Sequence, residues 1–158
     1  MKIIERDEIG TLAKTLKEAG QTIVFTNGCF DILHVGHVRY LAGARALGDC
    51  LIVGLNSDNS VRSLKGEDRP INCQGDRAEI LAGLSSVDYV VIFDEITAES
   101  VVAVVQPAIY AKGGDYTADQ LPESKVVATY GGKTTLVPLV PGRSSSNIIR
   151  KLSTGNKQ

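Results

Sequence analysis

Residues Thr26 to His37, TNGCFDILHVGH, bring into one turn the side chains of this chain best equipped for chemistry. The chain has two histidines, His34 and His37, and both stand in this turn. Alone, either one reads equally well as a helix cap or a surface residue. Together they suit charge developing on phosphoryl oxygens, because each neutral imidazole carries one N–H donor. Gly28 permits close approach of the backbone to a ligand, and a helix opening near Gly36 would turn N–H groups and a positive dipole end toward an anion. A metal site is the weaker reading, since no third ligand follows at a suggestive spacing.

A second polar cluster, Arg143-Ser144-Ser145-Ser146, precedes the apolar positions Ile148, Ile149 and Leu152 of a short amphipathic helix. It has the composition of an N-cap. It also exceeds what one cap needs, and a phosphate at that helix start would use the surplus hydroxyls and the guanidinium. Lys112-Gly113-Gly114-Asp115-Tyr116 ends an apolar run and is either a plain turn or a place where a ligand meets bare backbone. Lys65, Arg69 and Arg77, considered by charge alone, serve equally as solvated surface cations or as anion ligands.

These groups need a scaffold, and the apolar pattern supplies it. Runs of strand length occur at 22–26, 50–55, 88–93, 108–112 and 135–140, and they are apolar almost throughout, as strands covered on both faces should be. Helical spacing occupies 7–18, 36–47, 75–84, 97–105 and 144–152, with Asp7 and Thr97 as start signals. The alternation predicts an α/β fold, a single doubly wound, Rossmann-like domain over 1–158 with a five-stranded parallel sheet in the order 3-2-1-4-5. Two polar segments, 57–74 and 113–132, read as long loops. Both follow strands, where the ligand crevice of an open parallel sheet lies.

Composition narrows the partners. Seventeen Lys and Arg against 18 Asp and Glu leave a net charge of −1, so no global field draws in nucleic acid or an anionic membrane. Three cysteines, Cys29, Cys50 and Cys73, fit neither a disulfide framework nor a zinc knuckle and read as reduced thiols. No run reaches the roughly 18 apolar residues of a membrane span and the first residues lack a leader's apolar stretch, so a cytoplasmic address is expected. The expected partner is a small polyanionic metabolite.

His34-Val35-Gly36-His37 matches the HxGH signature of the nucleotidyltransferase superfamily, and Gly28-Cys29-Phe30-Asp31 resembles the segment before it in the cytidylyltransferase-like branch. LIVGLNSDNSVRSLKGEDRPIN (51–72), Arg77, AKGGDY (111–116) and GRSSSNIIRKL (142–152) resemble, in that order, the adenylyltransferases that make ADP-heptose from heptose 1-phosphate. The similarity extends from Thr26 to Leu152.

The resemblance implies that Asn27, Gly28, Cys29, Phe30 and Asp31 shape a nucleotide loop and that His34 and His37 contact the triphosphate, with Lys65 reaching phosphate. It implies nucleotide contacts at Lys112, Gly113, Gly114, Asp115, Arg143, Ser144, Ser145 and Ser146, and substrate contacts at Asn56, Asp58, Arg69 and Arg77. Mg²⁺ is expected to arrive with ATP, with Asp31 the nearest carboxylate to it. Ala108 departs from the usual aspartate, and Ser145 and Ser146 replace common threonines while keeping the hydroxyls.

The implied reaction is transfer of AMP from ATP to a heptose 1-phosphate with release of pyrophosphate, downstream of a separate sugar kinase, with a homodimer among the expected assemblies. Two alternatives stay open. One is a transferase of the same fold with another acceptor or base, such as a glycerol 3-phosphate cytidylyltransferase or an FMN adenylyltransferase. The other is a non-catalytic nucleotide-binding regulator. The loops at 51–72 and 111–116 argue against the first, and the intact His34, His37 and Lys65 against the second.

Overall fold

The computed structural model describes residues 1–114, 117, 120–139 and 144–155. In chain order the elements are β1 (Ile3–Ile4), α1 (Ile9–Glu18), β2 (Ile23–Gly28), α2 (Val35–Arg45), β3 (Cys50–Asn56), α3 (Asp58–Lys65) and α4 (Gln74–Ala82). They continue with β4 (Tyr89–Phe93), α5 (Glu99–Val105), β5 (Ile109–Gly113), α6 (Pro122–Thr129), β6 (Lys133–Val137) and α7 (Ser145–Gly155). The strands pair in parallel in the order β1-β4-β3-β2-β5-β6.

The sheet has six strands, not the five expected. The expected five are β2 to β6 and keep their expected relative order, while β1 adds an edge beside β4 through Ile3–Val90 and Ile4–Val91. Two residues are too few to show any period in sequence. The edge is held by Val90 N donating to Lys2 O and by Lys2 Nζ donating to the carbonyls of Leu84 and Val87.

Alternation along each strand sends its side chains into two cores. On one face Ile23, Phe25, Ile52, Val91 and Tyr110 pack with α1, α5 and α6 residues such as Ile9, Val101, Val102 and Val127. On the other, Val24, Leu51, Val53, Leu55, Val90 and Ala111 pack with Tyr40, Leu41, Ala78 and Leu81 from α2 and α4. All seven residues of β3 are buried, which explains its unbroken apolar run.

The two segments read as loops each contain a helix. In α3, Ser57 caps by accepting from Ser60 N, Asp58 sits in the first turn and Val61 is the buried anchor. In α6, Pro122 stands in the first turn and Val127 is the buried anchor. One anchor in eight residues is too sparse for a period of 3.6 to show. At α1 the cap residue is Glu8, with no side-chain capping bond, so Asp7 does not fill that role.

Because β3 and β4 lie to one side of β2 and β5 to the other, the chain changes winding direction between β2 and β5. A crevice opens at the carboxyl ends of the strands at such a point. The candidate residues converge there.

Candidate functional site

The crevice encloses about 680 Å³. Its floor is the end of β2 (Asn27, Gly28), of β3 (Asn56) and of β5 (Lys112, Gly113). The start of α2 supplies His34 and His37, the start of α7 Ser144 to Ser146, and the end of α3 Leu64 and Lys65. The remaining wall comes from Ile96 and Thr97 ahead of α5 and from Leu121 to Glu123 at α6.

The two histidines build the helix start between them. His34 is the N-cap of α2, and its Nδ1 accepts from Gly36 N at 3.0 Å. His37 Nδ1 accepts from His34 N at 3.3 Å, closing a reciprocal capping box. An Nδ1 that accepts carries no proton, so a neutral ring in either position carries its hydrogen on Nε2. The rings stack with centroids 3.9 Å apart, and Phe30 meets His37 edge-on at 5.4 Å. Burial and the neighbouring His34 pull the His37 pKa down to about 4. At neutral pH His37 is therefore an uncharged donor. The cap reading and the ligand reading of this turn are compatible, because capping fixes the tautomer that presents Nε2–H.

Phe30 is buried with φ at +45°, in the left-handed region. Gly28 makes room for it, since a Cβ there would lie 3.0 Å from the Phe30 ring. Gly113 has a similar explanation: an added Cβ would fall 2.5 Å from Leu139 and 3.1 Å from Tyr40. Its missing side chain admits Leu139 to the cleft wall. Gly114, at φ +102°, uses the freedom of glycine outright.

The α7 serines divide their work. Ser144 Oγ caps by accepting from Asn147 N, and Ser145 Oγ donates to Ile32 O, tying this helix start to the turn after β2. Ser146 is exposed on the cleft wall and makes no side-chain hydrogen bond among the described residues. The starts of α2 and α7 are thereby held together at one side of the crevice. Asp115 and Arg143, named from the sequence, lie outside the described residues.

The electrostatic surroundings are cationic. Burial raises the Cys29 thiol pKa, and against it Lys65, Arg77, Lys112 and Arg69 each act to lower it. Burial also lowers the pKa of Lys112, whose Nζ donates to Asn27 O. Of these cations, Lys65, Arg69 and Lys112 line the crevice, where a polyanion would meet their charge.

Arg77 and Asp58, expected to contact substrate, do not line the crevice, whereas Asp31 does. Arg77 is 1% exposed, lies behind the cleft wall and spends its guanidinium on the carbonyls of Cys29, Asn56 and Asn72 and on Asp58 Oδ1. It braces the loops, and neither it nor Asp58 lines the crevice. Asp31 is 2% exposed; its oxygens accept from Ile71 N, Asn72 N and Arg69 Nε. Burial acts to raise its pKa, but the Asn72 and Ile71 amides and Arg69 outweigh it and hold the carboxyl below its usual value. A carboxylate so surrounded by donors does not fit as a ligand for Mg²⁺. It pins the 69–72 segment beneath Arg69, which does line the cleft.

Other residues enter from the structure alone. Tyr110 OH donates to Asn27 Oδ1 at 2.6 Å, and Tyr40 OH joins Thr26 Oγ1 and the Ala111 carbonyl. Both tyrosines face sheet ends through apolar strands or helices, and only their position shows the polar role. Glu123 is 5% exposed on the crevice wall. Its signal in sequence, a carboxylate just after Pro122, marks a helix start and nothing more.

Residues 25–152 match the family model described as Cytidylyltransferase-like. The Bifunctional protein HldE of Geotalea uraniireducens is 52% identical over 155 residues, which is 98% of this chain and 32% of that protein. The protein of the same name from Wolinella succinogenes is 52% identical over 151 residues, covering 96% and 31%. The chain thus spans about a third of the length of these relatives. A solved structure, the lipopolysaccharide core biosynthesis protein from Thermoplasma volcanium GSS1, is 28% identical with a TM-score of 0.64, covering 77% of this chain and 98% of that one.

Proposed function

Because the chain belongs to the cytidylyltransferase-like family of nucleotidyltransferases, we propose that it transfers AMP from ATP to a heptose 1-phosphate, giving ADP-heptose and pyrophosphate. Residues 1–158 act as one domain in this reading. The observation that carries it is the pairing of two helix starts, α2 with its reciprocally capped histidines and α7 tied on through Ser145, at one cationic crevice. The order of motifs and the HldE relatives favour heptose and adenine over other acceptors and bases.

The acceptor phosphate is already an anion, so its attack requires no general base. One of its oxygens bonds to the α-phosphorus as the bond from that phosphorus to the bridging oxygen breaks, and the electron pair leaves with pyrophosphate. Negative charge grows on the departing group. His37 Nε2–H donates to it, Ser146 and the α7 start hold it, and Lys65 and Lys112 offset its charge. Asn27 and Gly28 let the α-phosphate approach the end of β2. Mg²⁺ enters as part of the substrate, on the triphosphate oxygens. A kinase-type reaction must supply the acceptor, and a cytoplasmic location gives access to ATP.

Pyrophosphate release measured with ATP and CTP against heptose 1-phosphate, glycerol 3-phosphate and FMN tests this reading. ATP with heptose 1-phosphate should be the best pair. Turnover confined to CTP or to another acceptor contradicts it, and ligand binding without turnover supports a regulator instead.

A further inference from the structure

Glu123 and Asp31 are buried carboxylates on a crevice that also gathers Lys65, Arg69 and Lys112; Asp31 spends both oxygens on Arg69 and the 71–72 amides. One oxygen of Glu123, Oε1, accepts from Ala98 N at 3.0 Å. No donor among the described residues meets the other. Since no fully buried side-chain oxygen among them lacks a partner, Oε2 opens onto the crevice that Glu123 lines. Its charge is felt at Lys112 and Tyr110, whose pKa values it acts to raise, so it stands close to the floor at β5.

A carboxylate only accepts hydrogen bonds, and without a bridging cation it repels phosphate. Direct contact with the triphosphate or the acceptor phosphate is therefore unfavourable for it. The part of a ligand beside it must be neutral and rich in donors. The surrounding wall is apolar, with Leu64 and Ile96 half exposed and Leu121 behind them, which suits the C–H face of a sugar ring.

We infer that Glu123 determines specificity by accepting hydrogen bonds from neighbouring hydroxyls of a bound sugar, either the ribose of the nucleotide or the acceptor sugar. This rests on the transferase reading of the crevice. The alternative is a purely structural role, in which Glu123 only satisfies Ala98 N at the start of α5.

Glu123→Gln separates the two. Its amide oxygen can still accept from Ala98 N, while an NH₂ replaces the oxygen that faces the crevice. Calorimetric titration of both proteins with ATP, 2′,3′-dideoxy-ATP, heptose 1-phosphate and methyl phosphate gives the comparison. The inference predicts that the variant binds ATP or heptose 1-phosphate roughly ten- to a hundredfold more weakly, the range for a hydrogen bond to a charged group, while the corresponding ligand without hydroxyls is unaffected. Loss in the ATP pair assigns the contact to ribose, and loss in the acceptor pair assigns it to the sugar. Equal loss within both pairs, or none, overturns the inference. Should the variant fail to fold, the native protein still decides. It must prefer ATP over dideoxy-ATP, or heptose 1-phosphate over methyl phosphate, by about tenfold or more, and the absence of both preferences overturns the inference. Since these are binding measurements, they stand apart from turnover: a protein that binds but transfers nothing refutes the transferase reading and leaves the result for Glu123 intact.

Discussion

Replacing Arg77 tests whether this cation serves ligand or fold. Arg77→Ala leaves the Cys29, Asn56 and Asn72 carbonyls without their donor and the Asp58 carboxylate without its ion partner, and it empties space at a fully buried position. Removing one partner of a buried pair costs roughly 3–5 kcal/mol. Asp58 can recover some hydration, because 27% of its side chain is exposed, which places the loss near the middle, at about 4 kcal/mol. That is a large share of the roughly 5–15 kcal/mol that holds a domain folded. At about 2–4 °C per kcal/mol for a chain of this size, the thermal midpoint should fall by roughly 8–16 °C. Arg77→Lys keeps the charge but cannot span four acceptors, so it should recover only part of the loss. Thermal and urea unfolding followed by circular dichroism measure both variants, and ATP titration in the cold measures the folded fraction. ATP affinity there should stay within about threefold of the parent, as for a residue away from the ligand. A variant with an unchanged midpoint and a sharply raised KM for the acceptor would refute the bracing role and return Arg77 to the substrate.

His37→Ala should lower kcat by roughly 10² to 10³, the effect of losing one preorganised donor, and cost on the order of 1 kcal/mol through the lost cap; near-normal turnover would remove His37 from the chemistry. His37 is neutral when folded down to about pH 4 and titrates near 6.5 when unfolded, so the unfolded state binds more protons between those values. Stability should therefore fall as pH drops through that window, and urea unfolding of His37→Ala across it should show a shallower slope. Ser144→Ala should cost about 1 kcal/mol and leave ATP affinity alone, as a cap does. Ser146→Ala should instead weaken ATP and pyrophosphate binding roughly two- to tenfold and spare AMP, which calorimetry of the three ligands can check.

The sheet was legible because its strands are nearly all apolar and separated by helical spacing, and the strand order followed from the fold class. β1 was not, since its two residues carry no period and derive their pairing from β4. α3 and α6 hid within polar segments because each is anchored chiefly by one buried valine, Val61 or Val127. The histidine turn was legible since two imidazoles in one turn are rare in a chain with no others. The resemblance put Asp31 at the crevice, which it lines, but neither its internal bonds nor the buried bracing position of Arg77 could be read from sequence. Sequence shows a guanidinium or a carboxylate but not the carbonyls of Cys29 and Asn56, or the amides of Ile71 and Asn72, that absorb it across 20 to 50 residues of chain. Glu123 was invisible because sequence does not show that, among the described residues, only one of its oxygens finds a donor.

In the proposed reaction the α-phosphorus of ATP moves to a sugar phosphate in this crevice. Incubation with ATP labelled at the α-phosphorus and heptose 1-phosphate, followed by separation of the products, tests it directly. The label is expected in ADP-heptose, with one unlabelled pyrophosphate for each transfer and at least about tenfold slower transfer from labelled CTP. Label that stays in ATP while the protein is folded and binds it, or that moves faster from CTP, would contradict the adenylyltransferase reading.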